Sequence, residues 1–405
     1  MRSQQLKVKH EADMAFTFVP NVHVIETHPQ HGNTWGGTAV VSKVNFISYR
    51  ASEFGYLRCR FGLRTVGATY VNASAMVCQT PALDHSSSTG RVPLEVSNNA
   101  QDFSSSGTLF EYVGEVRVAN VFPSSGASSG GTLVQAEGEG FGSAGDEHRC
   151  SFGATAVRAT FISSRLVRCL TPSQPVSRTV ALEVSTNGGV DFSTSRVTFV
   201  FHPTVSVTTL TPQTGPTLGG TLLSVSGAHF IPSMSLKCRF GEIEVVGVFV
   251  SSSQLNCTAP PSHAGGANVD VSVNGVSFSV SGVTFTYQDS VSVLMLAPYA
   301  GPVAGGTNVS VIGTNLLPGS VCRFGEAPSS HSTWISSYEV TCSSPAHEHG
   351  SYALEVTNNV QDWTTSRVHF SFVSPVQVRA VRPVLGPEHG GTLVEVEGGP
   401  FALDS

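Results

Sequence analysis

One internal repeat limits the possible folds of this chain more than any other feature. The triplet Gly-Gly-Thr begins at Gly36, Gly130, Gly219, Gly305 and Gly390, at intervals of 94, 89, 86 and 85 residues. A period of this length suits one small domain with its own core. The 405 residues are therefore expected to form tandem modules rather than one large domain.

Two cysteine motifs follow the triplet in the first four repeats. A Cys-x-Phe-Gly motif comes first, and a second cysteine then stands three residues before a proline. The two cysteines of a repeat are 19, 19, 19 and 20 positions apart: Cys59 and Cys78, Cys150 and Cys169, Cys238 and Cys257, and Cys322 and Cys342. The fixed order of these motifs defines four complete modules.

The repeats also predict the module boundaries. Modules 1 to 4 occupy residues 20–113, 114–202, 203–288 and 289–374, while residues 1–19 match the tail of a preceding repeat and 375–405 the start of a fifth. We expect a longer parent protein, whose signal peptide and any anchor lie outside this sequence. The joins between modules are short and contain proline, as at Pro203. They predict a semi-rigid rod of modules packed end to end.

Within each module the apolar period is two, which is typical of β-strands with one buried face. Val134 and Ala136 show this alternation after one triplet, and Val180, Leu182 and Val184 show it after the second cysteine. About seven short strands and no helix are expected per module, in an immunoglobulin-like sandwich. In the first module, 21 positions separate Thr38 from Cys59, which predicts an insertion there.

Glycine and asparagine mark the turns. The glycine of each Cys-x-Phe-Gly motif is expected to adopt a positive φ while its phenylalanine enters the core. The asparagine pairs or Asn-Gly pairs that begin at Asn98, Asn187, Asn274 and Asn358 are expected at hairpin tips, in the left-handed conformation.

Composition excludes several classes of function. Charged residues are only 12%, the net charge is -6 and Lys plus Arg number 22, so no basic surface for nucleic acid or anionic lipid is expected. The apolar runs, such as Val293 to Pro298, are too short to cross a bilayer. Neither nucleic-acid binding nor membrane insertion by this segment is predicted.

The ordered motif set resembles the IPT/TIG family. Module 3 shows it best, with Pro212 to Gly215, Gly219 to Thr221, Cys238 to Gly241, Cys257 to Pro260 and Asn274 to Ser279. That family comprises immunoglobulin-like modules of plexins, the hepatocyte growth factor receptor group and some transcription factors. The resemblance covers nearly the whole chain and implies a seven-stranded sandwich. In the cell-surface branch it also implies a disulfide between the two cysteines of each module.

The cysteine pairs and the absence of a basic stripe favour the cell-surface branch over the transcription-factor branch. A disulfide that closes a loop of this size adds about 3 kcal/mol to a small domain, and such bonds persist in oxidising compartments. Eight buried free thiols in a cytosolic protein are the alternative. A zinc site is a weaker one, because one cysteine pair per module has no recurring histidine partners.

Three sequons are candidate glycosylation sites, at Asn72, Asn256 and Asn308. Their number is what chance provides in a chain rich in Ser and Thr. Their placement is favourable, because Asn256 precedes an inward Cys257 and Asn308 precedes an inward Val309, so both asparagines should face solvent.

No catalytic, cofactor or metal site is predicted. His28 with His31, and His347 with His349, could contact a metal, but neither pair recurs between modules. Asp102, Asp191 and Asp362 follow the hairpin asparagines, with Ser277 in the third module. One carboxylate per tip is too few oxygens for calcium, so these aspartates are interpreted as partners for their own turns.

Two hypotheses for function follow. The first is a non-catalytic extracellular segment of a larger cell-surface or secreted protein of the adhesion or receptor-like kind. It acts as a semi-rigid spacer for a binding head, or it recognises a protein ligand or a neighbouring cell-surface protein. The variable loops Asp84 to Gly90, Gly142 to His148 and His347 to Gly350 are then the expected contact points. The second is an accessory region of a secreted polysaccharide-acting enzyme. An aromatic row would favour it, but Trp35, Trp334 and Trp363 lie at different module positions.

Overall fold

A computed structural model describes residues 18–83, 90–143 and 147–399. The chain divides into two compact units between Pro203 and Thr204, and each unit contains two modules. Most of the predicted tail at residues 1–19, most of the loop from Asp84 to Gly90 and part of the loop from Gly142 to His148 lie outside the described residues.

The first unit contains modules 1 and 2. Module 1 consists of β1 (Val24–His28), β2 (His31–Asn33), β3 (Ala39–Val44), α1 (Tyr49–Glu53), β4 (Arg58–Phe61), β5 (Arg64–Asn72), β6 (Ala75–Gln79), β7 (Gly90–Ser97) and β8 (Leu109–Val113). Module 2 consists of β9 (Arg117–Phe122), β10 (Ser125–Ala127), β11 (Leu133–Glu139), β12 (Arg149–Phe152), β13 (Thr155–Ser163), β14 (Leu166–Leu170), β15 (Arg178–Ser185) and β16 (Val197–His202).

The second unit contains modules 3 and 4. Module 3 consists of β17 (Ser206–Thr211), β18 (Thr214–Pro216), β19 (Leu222–Ala228), β20 (Lys237–Phe240), β21 (Ile243–Ser251), β22 (Gln254–Thr258), β23 (Gly265–Ser272) and β24 (Thr284–Gln288). Module 4 consists of β25 (Ser292–Ala297), β26 (Ala300–Pro302), β27 (Asn308–Thr314), β28 (Val321–Phe324), β29 (Ala327–Pro328), β30 (His331–Ser336), β31 (Glu339–Ser343), β32 (Gly350–Thr357) and β33 (His369–Val373). An antiparallel pair, β34 (Gln377–Arg382) and β35 (Glu395–Gly399), follows.

Two sheets pack face to face in every module. In module 1 the strand order is β1-β3-β6-β5-β4-β7-β8-β2, and β5 belongs to both sheets, because Arg64 to Gly67 pair with β4 and Ala68 to Asn72 pair with β6. Modules 2 and 3 repeat this order. In module 4 the same segment is divided into β29 and β30 at Pro328, since proline has no N–H to donate to a sheet.

The first strand of each module also changes sheets. β1 pairs antiparallel with β3, whereas β2 pairs parallel with β8 in the opposite sheet. His28 and Pro29 are joined by a cis peptide bond at this change, and the equivalent prolines of the other modules share it. Modules 1 to 3 therefore have eight strand segments, where the sequence predicted about seven strands.

One expectation about secondary structure was wrong. The insertion of module 1 contains a five-residue helix, α1, although no helix was predicted. The helix buries Ala51 against the module core beside Ile47 and Leu57. Five residues make little more than one helical turn, and only Ala51 is buried. Such a short helix shows no apolar periodicity of 3.6 residues in the sequence.

Each module has its own hydrophobic core, as the repeat predicted. In module 3 the residues two and four past the triplet threonine, Leu223 and Val225, are fully buried. Phe240 of Cys-x-Phe-Gly packs edge-to-face on Phe285 of the last strand, with ring centroids 5.9 Å apart. The following Gly241 has a φ of +60°, and the equivalent glycines agree. The all-β fold class with tandem immunoglobulin-like sandwiches is confirmed.

Candidate functional site: cysteines, hairpin tips and module junctions

The structure brings the two cysteines of each module together as a disulfide. Cys59 on β4 and Cys78 on β6 lie on opposite sheets, with their Cα atoms 6.3 Å apart. The other three pairs, Cys150 with Cys169, Cys238 with Cys257, and Cys322 with Cys342, have Cα separations of 6.2 to 6.4 Å. All eight cysteines are buried. The bond therefore joins the two sheets through the core, next to the strand that belongs to both sheets.

The three sequon asparagines lie at the module surface to different degrees. Asn72 at the end of β5 and Asn308 at the start of β27 are exposed, while Asn256 is half-buried in the middle of β22. Asn72 caps its own turn through hydrogen bonds from the backbone and hydroxyl of Ser74. Ser343 Oγ donates to Asn308 Oδ1 over 2.6 Å.

One histidine of each pair contacts neighbouring residues. The His347 ring stacks on Phe372 with centroids 4.9 Å apart. The Nε2 atom of His31 is 3.2 Å from Thr186 Oγ1, a contact between modules 1 and 2. Among the described residues, no three His, Cys, Asp or Glu side chains cluster as metal ligands would. None of the helices within 18–83, 90–143 and 147–399 meets the length and apolarity that a bilayer span requires.

The glycines of Pro-x-x-Gly provide space for the triplet threonines. A Cβ atom at Gly215 would overlap the side chain of Thr221, and the same holds for Gly32 with Thr38 and for Gly301 with Thr307. Only glycine permits this close approach. Thr38 and Thr221 are fully buried as a result. The two motifs that recur together in sequence thus position one threonine hydroxyl at the end of the module.

The hairpin tips differ in one respect from the sequence prediction. In modules 1 and 4 the left-handed residues are Ala100, with φ +62°, and Val360, with φ +65°, rather than an asparagine. The side chain of the preceding residue stabilises each turn, because Asn359 Oδ1 accepts hydrogen bonds from the backbone N–H groups of Gln361 and Asp362. The residues equivalent to Asn359 are Asn99, Asn187 and Asn274. The prediction therefore identified the tips but misplaced the left-handed residue in these two modules.

The tip of module 2 contacts the triplet threonine of module 1. Thr38 Oγ1 donates a hydrogen bond of 2.7 Å to Asp191 Oδ2. Asn187 Nδ2 donates to the same carboxylate oxygen over 2.9 Å and to the backbone oxygen of His31 over 3.3 Å. Asp191 therefore links its own tip to the buried hydroxyl of the preceding module.

The tip of module 4 contacts module 3 through the equivalent atoms. Thr221 Oγ1 donates to Asp362 Oδ2 over 2.6 Å. Asn359 Nδ2 donates to the same carboxylate oxygen over 2.7 Å and to Thr214 O over 2.8 Å. Gln361 Nε2 adds a bond of 3.1 Å to Leu222 O. We call the threonine of one module and the asparagine and aspartate of the next the junction residues.

These contacts correct the interpretation of the aspartates. Asp191 and Asp362 do hydrogen-bond within their own turns, as expected, but each also accepts a bond from the preceding module. The sequence contained a signal, since the threonine recurs in every triplet and the aspartate recurs in three tips. A single chain gives no means of assigning one to the other, because they are about 140 to 150 positions apart.

A second recurring cluster orients the tips and was missed by the sequence analysis. In module 4 the guanidinium of Arg323 binds Glu355 and lies 4.5 Å from the centroid of Trp363, which directly follows Asp362. Arg60 with Phe103, and Arg239 with Phe278, repeat the arrangement at 4.1 and 4.3 Å. Cation–π contact and the ion pair together hold the aromatic residue beside the tip.

Module 2 replaces the arginine with Ser151. Its Glu183 instead accepts hydrogen bonds from the hydroxyl of Ser193 and from the backbone N–H groups of Ser195 and Arg196. The carboxylate thus serves the same loop through hydrogen bonds rather than through a cation.

Burial changes the pKa of two tyrosines in the cores. Desolvation raises the pKa of Tyr112 and of Tyr287 to about 12. Tyr112 Oη donates to Pro81 O over 2.9 Å, which also favours the protonated form. On the surface, a hydrogen bond and the charge of Lys43 lower the pKa of Glu26.

Repeated disulfide-linked β-sandwiches, joined by side chains at the module ends, define a multi-module immunoglobulin-like array. The chain belongs to the IPT/TIG domain family, whose model matches residues 20–112, 117–201, 205–287 and 292–372. The resemblance recognised from the motifs is confirmed.

The chain is similar in sequence to fibrocystin-L and to a plexin. Fibrocystin-L of Mus musculus is 24% identical over 412 residues, which cover 96% of this chain and 9% of that protein. Plexin-A4 of Homo sapiens is 26% identical over 210 residues, which cover 47% of this chain and 11% of that protein. The chain thus spans about a tenth of the length of these curated relatives. A structure of the full extracellular region of plexin A4 aligns over 90% of this chain and 42% of its own, with 14% identity and a TM-score of 0.32.

Proposed function

We propose that the chain is a non-catalytic extracellular segment of a larger cell-surface or secreted protein, where it acts as a semi-rigid spacer and a protein-recognition array. The observation that carries the proposal is the repeated set of junction residues. The same three side chains join module 1 to module 2 and module 3 to module 4. Because equivalent side chains make the same hydrogen bonds at both junctions, we infer a defined angle between the two modules of each unit rather than a flexible linker.

The disulfides support the extracellular location. Four buried bonds of this kind persist where the compartment is oxidising, and no cysteine is left free in the described residues. Mapping the four bonds by intact mass, with and without reduction before alkylation, tests this part of the proposal. Secreted protein with eight alkylatable thiols and an intact fold would contradict it.

Protein recognition is proposed for the loops that differ most between modules. Of the three, the loop from His347 to Gly350 lies wholly within the described residues. His347 packs there between Tyr352 and Phe372, so part of the loop is held in place. A rigid scaffold with variable, exposed loops is a common arrangement for binding sites.

The polysaccharide-related alternative receives no specific support. Trp35 is exposed, Trp363 lies under Arg323, and Trp334 donates its indole N–H to Leu316 O over 3.2 Å. The three tryptophans therefore lie at different positions within their modules. The matched family consists of non-enzymatic domains.

The spacer role is tested by the distance distribution between spin labels in one unit. Labels on Leu63→Cys in module 1 and Val176→Cys in module 2 use exposed positions, and all eight native cysteines are disulfide-bonded. We expect a narrow distribution that broadens when Asp191→Ala removes the junction bond. Asp102→Ala is the matched control, because among the described residues Asp102 contacts no neighbouring module. A broad distribution in the unsubstituted protein would reject the spacer role.

A further inference from the structure

The second strand segment of each module pairs in parallel with the last strand of the same module. We call these four contacts the parallel pairs: β2 with β8, β10 with β16, β18 with β24, and β26 with β33. In module 3, backbone hydrogen bonds continue the pair at both ends. Thr286 N–H donates to Gln213 O over 2.9 Å, and Thr217 N–H donates to Gln288 O over 2.8 Å.

The middle of each parallel pair is buried and closely packed. In module 3, Gly215 is the central residue of β18 and is buried. A Cβ atom there would lie 2.2 Å from Thr221 Oγ1 and 2.7 Å from the ring of Phe285 in β24. Water therefore has too little space to replace the backbone hydrogen bonds of this strand. The buried glycines at the same position in the other modules are Gly32, Gly126 and Gly301.

Tension applied to the ends of the chain would act along the parallel pairs. Residues 289–291 alone connect β24 to the next module, and the other modules are joined by equally short segments. Once β17 has detached from β19, the incoming chain pulls β18 one way while the outgoing chain pulls β24 the other way. Parallel strands loaded in this way separate by sliding, so their hydrogen bonds break together. In an antiparallel hairpin pulled open from its free ends, the bonds break one at a time.

We propose that this chain carries tension, and that the parallel pair is the contact by which each module resists unfolding under load. The pair recurs in all four modules, which matters because modules in series carry the same force and the weakest one unfolds first. This function goes beyond the proposed spacer role, since a spacer needs a defined angle between modules but no resistance to load.

Module 2 offers a test at the end of its parallel pair. Ser128 N–H donates to His202 O over 2.7 Å. Ser128→Pro removes this donor, whereas Ser128→Ala keeps it. The full-length chain is held by its two ends at constant force in optical tweezers, where the unfolding of each module appears as a step in length. The pair Cys150→Ala and Cys169→Ala, present in every chain compared, lengthens the step of module 2 by about 70 Å, because 19 more positions become extended. The lengthened step identifies module 2 and shows that it was folded.

We expect Ser128→Pro to shorten the lifetime of module 2 under load about fivefold, and Ser128→Ala to leave it within about twofold. Val167→Ala is the control for stability, because it creates a cavity in the core of module 2 and leaves the backbone bonds of the parallel pair intact. It should lower the stability in urea more than Ser128→Pro does, yet shorten the lifetime under load less. Thr217→Pro removes the equivalent bond to Gln288 O and repeats the comparison in module 3.

Lifetimes under load that simply follow the stability in urea would overturn the proposal, as would equal lifetimes for Ser128→Pro and Ser128→Ala. A narrow spin-label distribution combined with that result would reject the load-bearing function and leave the spacer role intact.

Discussion

The last strand of each module has an aromatic residue one position before its end that packs into the core, and in two modules this residue is a tyrosine. Tyr112 and Tyr287 occupy the position held by Phe201 and Phe372 in modules 2 and 4. Tyr112 Oη has a backbone acceptor, whereas that of Tyr287 is buried without a hydrogen-bond partner among the described residues. The same position is therefore a tyrosine with a hydrogen-bond acceptor in module 1, a tyrosine without one in module 3, and a phenylalanine in modules 2 and 4.

We predict opposite effects for two identical substitutions. Tyr112→Phe removes a hydrogen bond and should lower the free energy of unfolding of module 1 by about 1 kcal/mol. Tyr287→Phe removes an unpaired hydroxyl and should leave module 3 unchanged or more stable. Module-resolved hydrogen exchange at neutral pH measures both. Equal destabilisation by the two changes would contradict the assignment of the partners.

The raised pKa values predict alkaline unfolding of these two modules. A tyrosine titrates near 10 in the unfolded chain and at about 12 in the folded modules. The contribution of each tyrosine to the free energy of unfolding is complete below pH 10. It falls as the pH rises to 12, because the tyrosine hydroxyl loses its proton at a lower pH in the unfolded chain than in the folded module. Modules 2 and 4 lack the hydroxyl and serve as internal controls. Unfolding free energies that fall equally in all four modules between pH 10 and 12, as measured by urea denaturation with pulse proteolysis, would refute the prediction.

At the scale of elements, one strand explains why the disulfide lies where it does. In module 3, β21 pairs with β20 through Ile243 to Val246 and with β22 from Gly247 onward. Cys238 on β20 and Cys257 on β22 therefore meet across the core beside this strand. The bond closes the loop that contains β21, which pairs with both sheets of that module.

Removing one disulfide should destabilise its own module selectively. We expect the pair Cys238→Ala and Cys257→Ala to lower the stability of module 3 by about 3 kcal/mol, through the added entropy of its unfolded state. Pulse proteolysis, with cleavage sites assigned by mass, gives the stability of each module. Modules 1 and 2 in the other compact unit provide the reference. A uniform loss across all modules would show that the bond acts on more than its own loop.

The sequon at Asn256 lies next to an exposed apolar strand. Asn256 is directly opposite Val248 in the antiparallel pair, and Val246, Val248 and Val250 of β21 are 76%, 60% and 48% exposed. A glycan on Asn256 would cover this face. Exposed apolar strands of this kind promote association, so a cover has a physical benefit.

Loss of this glycan should therefore increase self-association. Asn256→Gln and Thr258→Ala both remove the sequon, and we expect each to lower the mass of the secreted protein by one glycan and to raise its light scattering on heating. Asn72→Gln removes a sequon elsewhere and is the control. Unchanged mass in both variants would show that Asn256 is not modified.

At the scale of the molecule, the junction residues couple modules through a few buried atoms. Thr221 is fully buried and donates to a carboxylate, and hydrogen bonds to charged groups contribute about 1.5–3 kcal/mol. Asp362 lies in a surface turn of module 4, whereas its partner Thr221 is buried in module 3. We therefore expect modules with separate cores to be coupled in stability through this bond.

A double-mutant cycle should reveal this coupling. Thr221→Val, Asp362→Ala and the double variant are compared by hydrogen exchange in the tip of module 4. We expect a coupling energy of about 1–2 kcal/mol, while amides of the core strand β28 keep their protection. Asp102→Ala, combined with Thr221→Val, is the control pair with no shared contact. Strict additivity for Thr221 and Asp362 would mean that the observed bond contributes nothing to stability.

The strands and turns of the modules could be predicted from the sequence because each depends on a few neighbouring residues. Alternating apolar residues identify strands, and a glycine after Phe240 identifies a turn with positive φ. The tip conformations of modules 1 and 4 were harder, because Ala100 and Val360 adopt the left-handed region against their own preference. There the hydrogen bonds of the preceding asparagine override the propensity of the residue. The module boundaries stay a prediction.

Apolar alternation, the five triplets and the recurring cysteine spacing were enough to predict the all-β class, the tandem modules and one pair of cysteines per module, because a repeat displays the same spacing several times. The disulfide within each pair was implied by the family resemblance and is present in the structure. The hydrogen bonds from Thr38 to Asp191 and from Thr221 to Asp362 could be identified only in the folded modules. Those partners belong to different modules, and which surfaces meet depends on how two folded ends fit together. That fit is a property of assembled surfaces, which no local pattern in the chain encodes.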